Sequence, residues 1–189
     1  MARVQWNSMT ESIFPLRTDR LILRPHLEHD AASLQPIYVL PEVARFLLDE
    51  PWDEETARAK VAERLPQTGL DTAAGALALV IEEQGVAVGD VQLWLTDREL
   101  GVAEIGWVLD PARGGRGLAA EAVGAVLELA FEKHRLHRVA AQMDARNLAS
   151  AKLAGRVGMR REAHKRQDWW SKGEWTDTVI FGMLAADRG

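Results

Sequence analysis

The chain has 189 residues, a length that fits one ordinary domain able to bury its own hydrophobic core. Hydrophobic residues make up 47% of the sequence and charged residues 27%, close to the averages of globular proteins, which argues against wholesale disorder. There is no cysteine, which excludes disulfides, thiolate metal ligands and a cysteine nucleophile, and the net charge of −5 argues against general nucleic-acid binding.

The N-terminal residues lack the apolar segment of a signal peptide. No stretch approaches the ~18 apolar residues that a membrane-spanning helix needs. We therefore expect a cytoplasmic protein that binds neither membranes nor nucleic acid. Residues 1–15 show no periodicity and predict an N-terminal arm, and residues 16–186 predict one folded domain.

The predicted elements follow one another in an order typical of a mixed sheet. A strand closed by proline is followed by a short helix capped by Asp30 and by a second helix from Asp53. Three closely spaced strands then suggest antiparallel hairpins, and a long helix from Leu118 follows. A short strand, a helix from about Asn147 and a final strand pair complete the chain. The predicted strands are Leu16 to Pro25, Ala76 to Ile81, Val86 to Leu95, Val102 to Leu109, Arg138 to Met143, Met159 to Lys165 and Glu174 to Leu184. We expect an α/β (α+β) fold with a mixed, mostly antiparallel sheet of six to seven strands and about four helices.

A glycine-rich loop joins the strand Val102 to Leu109 to the long helix. Its glycines let main-chain N–H groups approach a ligand, and the N-terminus of the helix attracts anions. Arg113 and Arg116 add positive charge. The pattern therefore predicts a site for a phosphorylated cofactor, with a plain glycine turn as the alternative. The loop consists of Arg113, Gly114, Gly115, Arg116, Gly117, Leu118 and Ala119.

Two other kinds of phosphate-binding loop have sequence patterns that can be set against this segment. A P-loop needs Lys and then Ser or Thr after its last glycine, but Gly117 is followed by Leu118 and Ala119. A dinucleotide-binding fingerprint can be fitted to residues 115–120, with Asp144 about 24 residues further on. The long turn and the preceding hairpins argue against this NAD(P)-binding interpretation, which stays open as the main alternative.

The loop resembles the cofactor loop of GNAT acetyltransferases. That family has Gln or Arg, two residues, Gly, one residue, and then Gly or Ala. Gly117 and Ala119 match the last two positions, and Arg113 lies one residue ahead of the first. Leu16 to Arg24, Asn147-Leu148-Ala149-Ser150 and Gly173-Glu174-Trp175-Thr176-Asp177 are similar to segments of the ribosomal-protein N-terminal acetyltransferases, the RimJ/RimL-like branch.

This resemblance implies a GNAT fold and direct transfer of an acetyl group from acetyl-CoA to a primary amine. It implies that the glycine-rich loop binds the pyrophosphate of the cosubstrate. It also implies that main-chain N–H groups at Trp107 and Val108 polarise the thioester carbonyl, where their strand splays from the next one. Asn147 would bind the cofactor arm and Ser150 would protonate the departing thiolate. Both are favoured helix-capping residues, so capping stays open as their role.

The general base is predicted to be Glu104, three residues before Trp107, acting on the amine through a water. Glu174 and Asp177 are the alternatives. The acid-rich region around the second helix, residues 42–63, predicts a cationic amine acceptor.

Several further features carry weaker predictions. His134 and His137 lie three residues apart without an evident third ligand, so we expect no metal. Trp169 and Trp170 predict an acceptor pocket, a subunit interface or simple hairpin packing. A homodimer is implied by the resemblance only. A non-catalytic acyl-CoA-binding module remains the second functional alternative.

Overall fold

The computed structural model of the protein describes residues 13–188, so residues 1–12 of the predicted arm lie outside the described part. Nine strands in the described part form one sheet. They are β1 (Leu16–Arg17), β2 (Leu21–Pro25), β3 (Thr68–Gly69), β4 (Ala76–Glu83), β5 (Val86–Asp97), β6 (Val102–Leu109), β7 (Arg138–Asp144), β8 (Arg160–Ser171) and β9 (Glu174–Leu184).

Five α-helices accompany the sheet within residues 13–188. They are α1 (Asp30–Tyr38), α2 (Pro41–Ala44), α3 (Glu54–Arg64), α4 (Leu118–Glu128) and α5 (Leu148–Arg156). The second helix predicted from the sequence is α3. Its predicted start at Asp53 is confirmed, because the Asp53 side chain accepts a hydrogen bond from the Thr56 N–H at 2.7 Å. None of the helices in the described part is long and apolar enough to cross a membrane.

The strand order is β1-β2-β4-β5-β6-β7-β9-β8, with β3 paired to β4. All neighbours are antiparallel except β6 and β7, which are parallel. This confirms the predicted mixed, mostly antiparallel sheet. The antiparallel order of β4, β5 and β6 is not the parallel sheet on which a dinucleotide-binding fingerprint depends.

Hydrophobic residues fill both faces of the sheet. On one face α4 packs with its apolar stripe, including the fully buried Leu118, Ala122 and Val126, as its helical spacing predicts. On the other face α1 and α3 cover the sheet, and Trp52 stacks on Tyr38 with ring centroids 3.7 Å apart. The second face holds the candidate site.

The sheet opens between its two parallel strands. Pairing of β6 with β7 runs only from Val102 opposite Arg138 to Glu104 opposite Ala140. Residues 105–109 of β6 continue to pair with β5, while the rest of β7 continues to pair with β9. The splay expected beside Trp107 is therefore present.

Several elements differ from the prediction in detail. The predicted strand Leu16 to Pro25 is two antiparallel strands, β1 and β2, because a turn at residues 18–20 folds Leu16 back opposite Leu23. The short elements α2 and β3 were not predicted, and β4 continues past Ile81 to Glu83.

His29, not Asp30, is the N-cap of α1, because the buried Asp30 carboxylate instead binds the Arg24 guanidinium at 2.7 Å and the Leu27 N–H. The strand β8 extends beyond Lys165 to Ser171. A bulge at residues 166–168 interrupts the pairing with β9, which resumes at Trp169, and the sequence pattern does not reveal this continuation.

Candidate active site

A cavity of about 560 Å³ lies on the α1 and α3 face of the sheet and extends to the gap between β6 and β7. Residues of β5, β6, β7 and β9 form its floor. Residues of α1, α3, the segment after α2 and the β8–β9 hairpin form its walls. Its lining includes the aromatic residues Tyr38, Phe46, Trp94, Trp107 and Trp169.

The cavity brings together five of the predicted site residues. Glu104, Trp107 and Val108 line it from β6, and Asn147 and Ser150 line it from the start of α5. Two elements distant in sequence thus supply one concave site, the usual form of a ligand-binding pocket. The glycine-rich loop lies outside this lining, at the N-terminus of α4.

One main-chain N–H group of β6 points into the gap between β6 and β7 near Trp107, where the resemblance predicts a donor to the thioester carbonyl. Asp110 donates its N–H to a β5 carbonyl at 2.8 Å. Hydrogen-bonded and non-hydrogen-bonded pairs alternate along antiparallel strands, so Val108 also bonds toward β5. Trp107, between them, therefore directs its N–H toward the gap. Of the two residues predicted to polarise a carbonyl, Trp107 has the suitable direction.

Asn147 and Ser150 are joined by a helix cap. The Asn147 side-chain oxygen accepts a hydrogen bond from the Ser150 N–H at 3.1 Å, so the capping role left open by the sequence is present. The cap uses only the oxygen of the amide. The NH₂ group of Asn147 is thus the donor with which it would bind a cofactor carbonyl.

Glu104 is half-buried and its pKa is shifted. Its carboxylate accepts a hydrogen bond from the Gln142 side chain at 3.1 Å. Burial raises the pKa of Glu104 above its usual value, and the bond from Gln142 opposes this shift without cancelling it. A carboxylate with a raised pKa is a better general base than an ordinary surface glutamate.

The two alternative bases lie outside the lining of the cavity and have structural partners. Glu174 forms an ion pair with Arg146 at 2.7 Å. Asp177 accepts hydrogen bonds from the Gln167 N–H at 2.8 Å and binds the His164 ring at 2.7 Å. The Gln167 N–H lowers the pKa of Asp177. Asp177 therefore anchors the bulge of β8.

The glycine-rich loop has the backbone geometry of an anion cradle. Gly117 is the N-cap of α4 with φ of 79°, a left-handed conformation that favours glycine, and no side chain caps the helix there. Because the first N–H groups of an α-helix lack intrahelical partners, those of α4 can face a ligand.

A buried carboxylate that the sequence did not single out lies under this loop. Glu83, the last residue of β4, binds Arg116 at 2.6 Å and Arg113 at 2.9 Å. The bond from Arg116 lowers the pKa of Glu83. The two arginines are therefore held in place and carry one net positive charge together with Glu83, less than the sequence alone suggests.

The turn between β1 and β2 is fastened to the same helix end. Glu121, in the first turn of α4, binds the Arg20 guanidinium at 2.6 Å and also accepts a hydrogen bond from Thr18. Arg20 donates in addition to the Arg116 carbonyl at 2.8 Å. The two segments that resemble the acetyltransferase family at the start and in the middle of the chain are thus in direct contact.

A buried polar network, also missed from the sequence, forms part of the cavity floor. Asp90 accepts a hydrogen bond from the Tyr38 hydroxyl at 2.6 Å and forms an ion pair with Arg64. The Arg64 guanidinium lies over the Tyr38 and Trp52 rings. Alternating polar residues at Asp90 and Gln92 in β5 were the available signal, since their face of the strand is covered by α1 and α3.

The β8–β9 hairpin crosses one side of the cavity. Lys172, at its tip, donates hydrogen bonds to the main-chain carbonyls of Ala44 and Asp49, the latter at 2.8 Å. Trp169 lines the cavity, whereas Trp170 packs edge-on against Trp175 with centroids 5.4 Å apart. The hairpin tip is thereby fixed to the segment that follows α2.

His134 and His137 lie away from this site. They line a separate cavity of about 410 Å³ near the start of β6. Burial lowers the pKa of His134. Residues 13–188 contain no group of three or more His, Cys, Asp or Glu side chains placed to hold a metal ion.

Comparison with known proteins agrees with this geometry. Residues 20–160 match the acetyltransferase (GNAT) domain family. The N-acetyltransferase p20 of Bacillus licheniformis is 27% identical over 169 residues, covering 89% of this chain and 95% of that protein. The crystal structure of a GNAT-family acetyltransferase from Bacillus anthracis superposes with a TM-score of 0.81 at 25% identity, covering 90% of this chain and 98% of that one.

A more distant structure shares the fold. RimL, a ribosomal L7/L12 alpha-N-protein acetyltransferase in complex with coenzyme A, has a TM-score of 0.77 at 20% identity, covering 88% of this chain and 94% of that one. The family match spans most of the described domain, and the p20 protein aligns over 95% of its length. The chain belongs to the GNAT acetyltransferase family and is an N-acetyltransferase.

Proposed function

We propose that the protein transfers the acetyl group of acetyl-CoA directly to a primary amine, which is a small molecule or a protein N-terminus. The observation that carries this proposal is the cavity at the β6–β7 gap, which Glu104, Trp107, Asn147 and Ser150 share. Glu104 supplies a base, Trp107 an N–H donor, and Ser150 a hydroxyl. These are the three groups that acyl transfer to an amine requires.

The reaction begins with an amine that has lost its proton. Glu104 accepts that proton through a water, and the neutral nitrogen attacks the thioester carbonyl. The Trp107 N–H hydrogen-bonds to the carbonyl oxygen as negative charge develops there. The C–N bond forms, the C–S bond breaks, and the products are the N-acetyl amide and CoA.

The departing thiolate needs a proton or a hydrogen bond. Ser150 lies on the first turn of α5 beside Asn147, and both residues face the same cavity. We assign proton donation to the Ser150 hydroxyl, which regains a proton through solvent as the nitrogen of the tetrahedral intermediate loses its second proton. We assign binding of the cofactor arm to the Asn147 NH₂ group. The positive end of the α5 dipole adds to the stabilisation of the thiolate.

The pyrophosphate is assigned to the loop from Arg113 to Ala119. Main-chain N–H groups at the start of α4 would bind its oxygens, and Arg113 and Arg116 would supply charge from positions fixed by Glu83. In this proposal residues 16–186 form the acetyltransferase domain, which belongs to the RimJ/RimL-like branch. The proposal also places the protein in the cytoplasm.

Thermal unfolding with acetyl-CoA, CoA or NADPH tests the cosubstrate. A ligand present at ~100 times its dissociation constant adds about 2.7 kcal/mol to the free energy of unfolding. We expect acetyl-CoA and CoA to stabilise the protein and NADPH to have no effect. Stabilisation by NADPH alone would contradict the loop assignment.

Release of CoA in the presence of amines tests the reaction. A thiol reagent measures it without background, because the protein has no cysteine. Binding of CoA without turnover of any amine would identify a non-catalytic acyl-CoA-binding module instead.

A further inference from the structure

The charges around the cavity show what kind of amine it can hold. Four of the carboxylates that line it already have cationic partners. They are Asp49 with Lys60 at 3.1 Å, Glu63 with Lys60 at 3.7 Å, Asp90 with Arg64, and Asp144 with Arg146 at 2.7 Å. Among the lining carboxylates of the described part, Glu104 differs because its hydrogen bond comes from the neutral Gln142 amide. One ammonium group can therefore be matched at Glu104.

For a second ammonium group, each other lining carboxylate of the described part already has a cation within 4 Å, although Lys60 alone serves both Asp49 and Glu63. The acid-rich region that predicts a cationic acceptor contributes Asp49 and Glu63 to the cavity, and Lys60 lies against both. The exposed Arg45 adds a positive charge at the rim, over the Phe46 ring at 4.4 Å. Asp49 and Glu63 with Lys60 and Arg45 carry no net charge, so the distal charges of a polyamine gain no net attraction there.

Trp94 forms an aromatic wall next to Glu104. The two residues are directly opposite each other on β5 and β6, and both line the cavity, so their side chains are neighbours on one face. Gly106, the next residue of β6 on that face, leaves room for the indole. Two Trp94 ring atoms lie 3.5 Å from the place that a Cβ would occupy there. The half-buried ring therefore presents apolar surface beside the proposed base.

The opposite walls continue this apolar surface and limit its length. Phe46, Leu47 and Trp169 line the cavity from the segment after α2 and from β8. Lys172 ties the hairpin tip to the Ala44 and Asp49 carbonyls, so the two walls are joined. A closed wall suits a compact acceptor better than an extended polypeptide, which needs an open groove.

We propose that the acceptor is a small monoamine with an apolar, ring-sized body, and that Trp94 is the residue that selects it. This inference rests on the proposed acetyl transfer and names its substrate class. The ring packs on the Trp94 indole while its amine reaches Glu104. The ring makes the same contact with Trp94 in the bound substrate and in the transition state, so we expect Trp94 to affect mainly KM.

The test compares four amines with the purified full chain and acetyl-CoA. The amines are 2-phenylethylamine, n-butylamine, spermidine and a tripeptide with a free N-terminus. We expect kcat/KM for 2-phenylethylamine to exceed those for spermidine and the tripeptide at least about tenfold, as an aromatic contact and one matched charge predict.

Variants of Trp94 then test the selecting residue. Trp94→Ala should lower kcat/KM for 2-phenylethylamine about tenfold through KM, and for n-butylamine less than about twofold. Trp94→Phe should keep most of the preference. Trp175→Ala, an exposed tryptophan outside the lining, is the matched control and should change neither value. An unchanged thermal shift with CoA verifies that Trp94→Ala is folded.

The outcomes separate the inference from the proposed function. Preference for spermidine or the tripeptide, or an equal loss for all amines in Trp94→Ala, would overturn the inference and leave acetyl transfer standing. Absence of acetylation with every amine would overturn the proposed function and the inference with it.

Discussion

The Asn147 side-chain oxygen accepts a hydrogen bond from the Ser150 N–H at 3.1 Å, and both residues line the same cavity. The first turn of α5 thus combines a helix cap with two proposed cofactor contacts. The cap engages the amide oxygen, whereas the proposed cofactor contact uses the amide NH₂ group. Substitution can therefore separate the two roles.

Asn147→Ala should lower the free energy of unfolding by about 1 kcal/mol, because it removes the cap. Asn147→Ser retains a capping oxygen and should keep most of that stability. Both variants lose the NH₂ donor and should bind CoA more weakly. Chemical denaturation and calorimetric titration with CoA measure the two effects. Full CoA affinity in Asn147→Ser would mean that the residue is a cap only.

Glu104→Gln should lower kcat about 100-fold while CoA affinity is kept, because a general base typically contributes at least that factor. In the wild type, activity should fall on the acid side as Glu104 becomes protonated, at a pH above the usual glutamate pKa because burial raises it. The pH dependence of kcat/KM measures this. Glu174→Gln, outside the lining, is the control and should retain wild-type activity. An unaltered acid limb in Glu104→Gln would assign the base elsewhere.

Gly117→Ala should destabilise the protein by about 1 kcal/mol and weaken CoA binding, since φ is 79° at this N-cap. Gly117→Asn should cost less, because asparagine visits the left-handed region more readily. Gly124→Ala, inside the same helix where a Cβ would contact nothing within 4 Å, should instead stabilise by about 0.5–1 kcal/mol. Equal effects of the two alanine substitutions would contradict this assignment of backbone conformation.

His26 should make the protein sensitive to mild acid. Its side chain is buried 3.7 Å from Asp90, near Arg64, Asp30 and Arg24, and burial lowers its pKa to about 4. The unfolded chain, with a pKa of 6.5, binds the proton more readily. Stability is therefore complete above pH 6.5 and falls as the pH decreases from there toward 4.

The check is thermal unfolding at pH 7.5 and pH 5. His26→Leu should show a smaller loss of Tm between these values than the wild type does. His29→Leu, at the exposed neighbouring histidine, should lose as much Tm as the wild type. A full wild-type loss in His26→Leu would trace the acid sensitivity to other groups.

Local patterns predicted the elements on which most of the site rests. The helical spacing of Leu118, Ala122 and Val126 gave the central helix, and the chemistry of Asn147 gave the start of α5. These signals come from residues close in sequence, so they can be recognised without knowledge of the tertiary structure.

The missed residues depend on contacts between distant segments. Glu83 reads as part of the turn after the strand Ala76 to Ile81, and only the sheet order β4-β5-β6 brings it under Arg116. Asp90 reads as the solvent side of a strand, yet α1 and α3 cover it. Glu104 was identifiable by resemblance, but its isolation from cationic partners required the structure.

The short contact between β6 and β7 also has a mechanical consequence. Within residues 13–188 the ladder between β6 and β7 has three residue pairs, against eight between β5 and β6 and seven between β7 and β9, so the boundary between β6 and β7 should open more readily than its two neighbours. A cosubstrate seated at that boundary would bridge the two strands. Amide hydrogen exchange at the start of β7 would then slow on binding. The protein would be most resistant to unfolding when the cosubstrate is bound.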